Sequence, residues 1–322
     1  MRIISPVDHL GEVAELLVAG ADELYGGYVP AAWGARFGLL ASINQRTFAG
    51  AQIDSYADLQ SIVEQVRVHG GRFSLTLNAP YYTDAQIPLL LDYVEEASAA
   101  GIDGVILADL GLLRKLRPRF PRLQMHASTL AHLVNSAAVA EYRDAGIDRV
   151  VLPRHLPLAE MASIIAASPG VRFDAFLLVG NCPNCEGLCS FHHSSPDRIW
   201  PCEIPYAIDP VAAASSALTS AIGRQGSWAK SNRRHGCGLC ALPALREAGI
   251  DGLKLVGRGA PAAEKVRNVL LACEFIDLVD TEPDFDNYQK KALSAHLTRF
   301  GRDCSPNVCY YPELCPNGAD LV

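Results

Sequence analysis

Eight short apolar runs punctuate the chain, and most follow a longer stretch in which apolar residues recur every three or four positions. The runs are RIIS near residue 3, ELYGG near 25, RFSLTLN near 75 and GVILAD near 106. LQMHAST near 126, RVVLPR near 151, FDAFLLV near 176 and GLKLVGR near 255 complete the series. Runs this short, apolar on both faces, suit strands buried in a parallel sheet, and the longer stretches between them suit amphipathic helices.

One phrase marks the joints. It reads AGADELYGG from Ala19, AGIDGVILAD from Ala100, AGIDRVVLPR from Ala145 and AGIDGLKLVGR from Ala248. In each copy the glycine is placed to end a helix in the left-handed conformation, and a strand starts directly after it. Eight such β/α units predict a (β/α)8 TIM-like barrel rather than an open sheet. The barrel is expected over residues 1–300, with a cysteine-rich insert at 180–242 after the seventh strand and a cysteine-containing tail at 301–322. The stretch from Gly27 to Ser55 is the other connection far longer than the usual ~2–6 residues, and both call for a functional explanation.

Composition adds little that the pattern does not already say: 49% apolar and 20% charged residues are ordinary for a globular chain. No secretory signal is visible behind the initial Met, and no apolar run approaches the ~18 residues of a membrane span. The expectation is a cytoplasmic protein, where ten cysteines serve as ligands or catalysts rather than as a disulfide framework. A net charge of −7 favours a small-molecule substrate over RNA, since RNA binding needs clustered Lys and Arg.

In a barrel, chemistry gathers where strands end. That rule selects Asn78, His126, Ser128, Arg154, Lys254 and Arg258 as pocket candidates, together with the cysteine cluster GNCPNCEGLC at 180–189. The segment GRGAPAAEKV from Gly257 also has the form of an anion site, with backbone N–H groups opening a helix behind Arg258. Three readings of the cysteines compete. Cys182-x2-Cys185 and Cys237-x2-Cys240 form two knuckles of a zinc site, but the 51 residues between them exceed a compact module. An iron–sulfur cluster tolerates wider spacing. A nucleophilic cysteine beside His192 or His193 would leave the other thiols of the insert unexplained. No HExxH, P-loop or GxSxG sequence occurs.

The phrases AGADELYGG, LTLNAPYYTD, GIDGVILADLGLL, MHASTLAHLVNSAA, GIDRVVLPRHLPLAEM and LPALREAGIDGLKLVGR, in this order, resemble the U32 peptidase family along most of the chain. The resemblance implies an iron–sulfur protein of oxygen-independent hydroxylation, with a [4Fe–4S] cluster on Cys182, Cys189, Cys202 and Cys240. It further implies a small aromatic or anionic substrate, prephenate as a possible co-substrate, and a sister subunit of the same family as a partner. Alternatives carried by the same resemblance are a peptidase, an RNA-base hydroxylation protein and a non-catalytic cluster carrier. Two departures stand out. Val256 occupies a position where relatives carry an acidic residue. Extra thiols also occur at Cys185, Cys237, Cys304, Cys309 and Cys315. The tail trio, with Cys185 or Cys237, suggests a second site for a cluster or zinc.

Overall fold

The computed structural model describes residues 1–37, 43–46, 49–180, 182, 185–188, 208–231, 235–306 and 308–315. Eight parallel strands close into a barrel in chain order. They are β1 (Arg2–Pro6), β2 (Glu23–Gly26), β3 (Arg72–Leu77), β4 (Gly104–Leu107), β5 (Gln124–Ala127), β6 (Arg149–Val151), β7 (Arg172–Leu178) and β8 (Gly252–Leu255). Pairing of β8 with β1 closes the ring, Arg2 lying opposite Gly252 and Ile4 opposite Lys254.

Helices α1 (Val13–Val18), α2 (Ala31–Phe37), α3 (Tyr56–Val68), α4 (Ile87–Ala100), α5 (Leu110–Arg119), α6 (Ser136–Asp144) and α7 (Leu158–Ala166) fill the first six connections, α2 and α3 sharing the one between β2 and β3. The connection from β7 to β8 holds α8 (Ser216–Ser231) in the insert and then α9 (Leu242–Glu247), and α10 (Ala262–Thr281) and α11 (Phe285–Phe300) follow β8. No helix among the described residues is long and apolar enough to cross a membrane.

The repeated phrase explains itself in this frame. Its four glycines, Gly20, Gly101, Gly146 and Gly249, all have φ between 91° and 111°, which a residue with a Cβ adopts only at a cost. Its aspartates tie strand to strand. The carboxylates of Asp22, Asp103 and Asp148 accept the backbone N–H of Ile3, Phe73 and Met125 at 2.7, 2.8 and 2.7 Å, and Asp251 takes the Arg2 guanidinium at 2.6 Å. The residue after each aspartate is the first of its strand: Glu23, Gly104, Arg149 and Gly252.

Those first residues help to build an ionic floor inside the barrel. Arg149 donates to both Glu23 oxygens at 2.6 and 2.8 Å and lies 3.3 Å from Asp174. The two glycines make room: a Cβ on Gly252 would stand 2.3 Å from Asp174 Oδ1, and one on Gly104 would stand 3.0 Å from the His126 ring. Above this floor the barrel is filled by Ile4, Tyr25 and Ile106, a small apolar cluster separate from the core between strands and helices.

Candidate functional site

At the floor, burial works to raise the pKa of Glu23, yet the Arg149 guanidinium and the hydrogen bonds from Arg149 and Ser74 hold the carboxyl below its ordinary range. Desolvation and the neighbouring Arg149 keep His126 well below its usual range, so the ring is a neutral acceptor and Arg149 is the cation that Glu23 meets. Arg149 Nη2 lies 2.7 Å from His126 Nδ1. Burial raises Asp174 to about 6 despite Arg149 beside it, and its Oδ1 has no hydrogen-bond partner. His126 was expected among the pocket residues; it is instead 2% exposed and tied into this floor. Its i+2 position from Ser128 does not make a catalytic pair. Ser128 is spent on a turn, its hydroxyl accepting the Leu130 N–H at 3.2 Å.

Nearer the mouth stand Lys254 and Asn78. Lys254 lies 4.3 Å from the centre of the Tyr25 ring, and burial lowers its pKa to about 8. Asn78 continues the inward face of Ser74 and Thr76 just past the end of β3, and its Oδ1 is buried without a partner. A buried amide oxygen left unpaired is costly, which marks a place where a ligand donor fits.

Arg258 does not face an open pocket. Its guanidinium donates to the carbonyls of Ala51 at 2.7 and 3.2 Å and of Asn44 at 2.9 Å, and to Gln52 Oε1 at 3.2 Å. Asn44 and Gln52 exchange amide hydrogen bonds at 2.8 and 2.9 Å, and Tyr82 donates to the Ile43 carbonyl at 2.7 Å. Arg258 therefore clamps residues of the long β2–α3 connection to the mouth. The expected anion site behind it is filled from within. The Gly259 N–H donates to Asp8 at 2.6 Å, and Asp8 and Glu12 share the buried ammonium of Lys265 at 2.5 and 2.7 Å.

The cysteine loop after β7 is held by a residue that the sequence reading passed over, Glu186. Its carboxylate accepts the Arg154 N–H at 2.8 Å, the Arg154 guanidinium and the Thr129 hydroxyl at 3.1 Å, and its carbonyl lies 2.7 Å from His132 Nδ1. Gly187 follows at φ +89°, so close to the β5–α6 connection that a Cβ would stand 2.8 Å from His132 Cβ. The available signal was an acidic residue and a glycine inside a cysteine cluster on the same side of the barrel as Arg154. Arg154 also donates to the Gly180 carbonyl at 2.6 Å and stacks 4.0 Å over Phe176. Burial and then Glu186 act on its pKa in opposite senses, with Cys182 among the groups that favour its charge.

Cys182 is thus at the mouth, while Cys189 and Cys202 lie outside the described residues, as do His192 and His193. Cys240 is partly exposed and carries the fields of Cys304 and Cys315, burial raising its thiol to about 12. Cys185 is exposed. Of the four expected ligands, the described residues thus include Cys182, beside Arg154, and Cys240, beside Cys304 and Cys315.

The family model described as Peptidase family U32 matches residues 8–311. The tRNA hydroxylation protein P of Escherichia coli (strain K12) is 26% identical over 189 residues, covering 58% of this chain and 38% of that protein. The tRNA hydroxylation protein P1 of Bacillus subtilis (strain 168) is 23% identical over 299 residues, 91% of this chain and 67% of that one. The 23S rRNA 5-hydroxycytidine C2501 synthase of Escherichia coli (strain K12) is 24% identical over 270 residues, 80% and 36% of the respective chains. The match spans less than two-fifths of the length of the two Escherichia coli relatives.

Proposed function

The chain belongs to peptidase family U32, and from that premise we propose that it is an iron–sulfur enzyme of oxygen-independent hydroxylation acting on a base of RNA. The relatives whose names record hydroxylation of tRNA and rRNA support the reaction class. The observation that carries the substrate class is the buried, unpartnered Oδ1 of Asn78 in a mouth whose two arginines are already committed. With Arg154 on Glu186 and Arg258 on main-chain carbonyls, the mouth is built less for an anion than for a neutral ring with N–H groups to donate. A nucleobase has such an edge.

In this reading Cys182, Cys189, Cys202 and Cys240 hold the cluster. Bound there, it supplies electrons or an open iron site for chemistry that side chains cannot perform. Asn78 orients the ring by accepting an N–H. Lys254, brought by burial to about 8 and seated on Tyr25, can carry or release a proton at a ring atom near neutral pH. Prephenate, implied by the family resemblance, is the oxygen donor to try first. A hydrolase is disfavoured, because His126 and Ser128 have other duties and no hydrolytic motif occurs.

A free aromatic molecule is the second reading, favoured by the charge of −7 and by the small share of the RNA-modifying relatives that this chain spans. Nucleosides from the RNA of cells with and without the chain, grown without oxygen, separate the two by mass spectrometry. Loss of one hydroxylated nucleoside supports the RNA reading. Unchanged nucleosides with a missing hydroxylated aromatic metabolite would replace it with the second.

A further inference from the structure

The segment GRGAPAAEKV after β8 has the form of an anion site, yet a carboxylate of the protein itself occupies it. Gly257 and Gly259 stand at φ +136° and +76° and turn the chain tightly into α10, a helix of 20 residues. Asp8, just past β1, takes two donors on one oxygen: Oδ2 accepts the Gly259 N–H at 2.6 Å and the Lys265 ammonium at 2.5 Å. Glu12 shares that ammonium at 2.7 Å and also accepts the Asp8 N–H at 3.1 Å. Asp8 and Lys265 are 1% and 2% exposed, and Asp8 Oδ1 is buried with no hydrogen-bond partner.

A backbone N–H just ahead of a long helix, with a buried ammonium behind it, is the donor pair that a phosphate oxygen takes after the last strand of such a barrel. Here Asp8 Oδ2 holds both. Neutralising Lys265 does not require it, because Glu12 already does so. Two carboxylates against one ammonium leave a surplus negative charge in a buried place. Burying the second carboxylate with an oxygen unpaired costs stability. Arg258, beside Gly259 in sequence, offers no relief, since its guanidinium is committed to the carbonyls of Ala51 and Asn44. The cost is explained if Asp8 has a further duty.

We propose that Asp8 is a specificity-determining residue: its carboxylate stands where a substrate phosphate would bind, and it closes the mouth to mononucleotides and other small phosphorylated molecules. An incoming phosphate finds both donors taken and meets a like charge. This rests on the reading that the mouth takes a base. It adds that the base enters with its phosphates outside, as one drawn from an RNA strand does.

The test uses inorganic phosphate and formate as probes on the full chain, in urea unfolding at matched ionic strength. Asp8→Ala frees both donors, so either anion should replace the lost carboxylate and stabilise the variant saturably. At about ten times its dissociation constant, the anion should raise the folded-to-unfolded ratio about 11-fold. Wild type should show only the gradual, non-saturating effect of salt. Saturable stabilisation of wild type by phosphate overturns the proposal. So does an Asp8→Ala chain that formate restores and phosphate does not, because space rather than Asp8 would then exclude the phosphate. Asp8→Ser, which removes less volume, is the second variant. If neither variant folds alone, recovery of the fold in phosphate supports the proposal and its absence opposes it. Adding Lys265→Met to Asp8→Ala should abolish the response; a response that persists puts the anion elsewhere and contradicts the assignment. Each readout is of stability and needs neither iron nor RNA. A failure here is therefore distinct from a failure of the RNA reading, which shows in the nucleosides.

Discussion

Glu186→Gln isolates the lock on the cysteine loop. The substitution keeps the shape but exchanges one carboxylate oxygen for an amide nitrogen, so a donor then faces Arg154 or Thr129, which are themselves donors. At least one charge-assisted hydrogen bond is lost, and Arg154, whose side chain is 13% exposed, keeps an uncompensated charge. A hydrogen bond to a charged group contributes about 1.5–3 kcal/mol. Taking about 2–3 kcal/mol, and 1.4 kcal/mol per factor of ten, the population with the loop undocked rises about 30- to 140-fold. Hydrogen exchange reads this directly. The Arg154 amide, which donates to Glu186, and the Leu188 amide, which donates to the Cys185 carbonyl at 3.2 Å, should exchange faster by that factor. The Leu152 amide, just past β6 and bonded to the Asp174 carbonyl at 2.9 Å, should not change. Exchange at Arg154 and Leu188 within twofold of wild type would refute the role given to Glu186.

Arg149→Met leaves Glu23 and Asp174 buried without their cation and should cost about 3–5 kcal/mol in urea unfolding; a loss below about 1 kcal/mol would mean the floor is not an ionic unit. Lys254 has a folded pKa of about 8 against an ordinary 10.5, so the unfolded chain holds more protons between those values and stability contributed by this group rises with pH across that window. Urea midpoints of Lys254→Met should lack that rise; equal slopes in both proteins would contradict it. Gly187→Ala forces a side chain into a φ of +89° and against His132, so the variant should melt lower and hold less iron than wild type, as calorimetry and metal analysis would show. Arg258→Met frees the carbonyls of Asn44 and Ala51, and trypsin should cut at Arg46 faster than in wild type while other sites are unaffected.

The barrel was legible because its signals are local and repeated. Gly20, Gly101, Gly146 and Gly249 each end a helix, and the aspartate two residues on ties the new strand to its neighbour, so each phrase carries its instruction within a few residues. The site was legible only as a list of strand ends. Which of those side chains remain available depends on partners that meet once the ring closes. Glu186 is 32 residues from Arg154, Asp8 is 251 from Gly259, and Arg258 is more than 200 from the carbonyls it clamps. His126 was misplaced for the same reason: its inward position can be read from alternation along β5, but its depth depends on barrel shear and on Arg149 opposite. The tail shows the converse. Three cysteines in twelve residues stand out in the sequence, but only the main-chain bridge between Cys237 and Cys309 shows where the tail docks.

The central claim, a cluster at the barrel mouth that hydroxylates a base of RNA, is tested most directly by complementation. Cells lacking the chain are supplied with wild type, Cys182→Ser or Cys185→Ser, grown without oxygen, and their RNA is digested and examined by mass spectrometry. The account predicts one hydroxylated nucleoside restored by wild type and by Cys185→Ser, and absent with Cys182→Ser present at equal abundance. Full restoration by Cys182→Ser would contradict it.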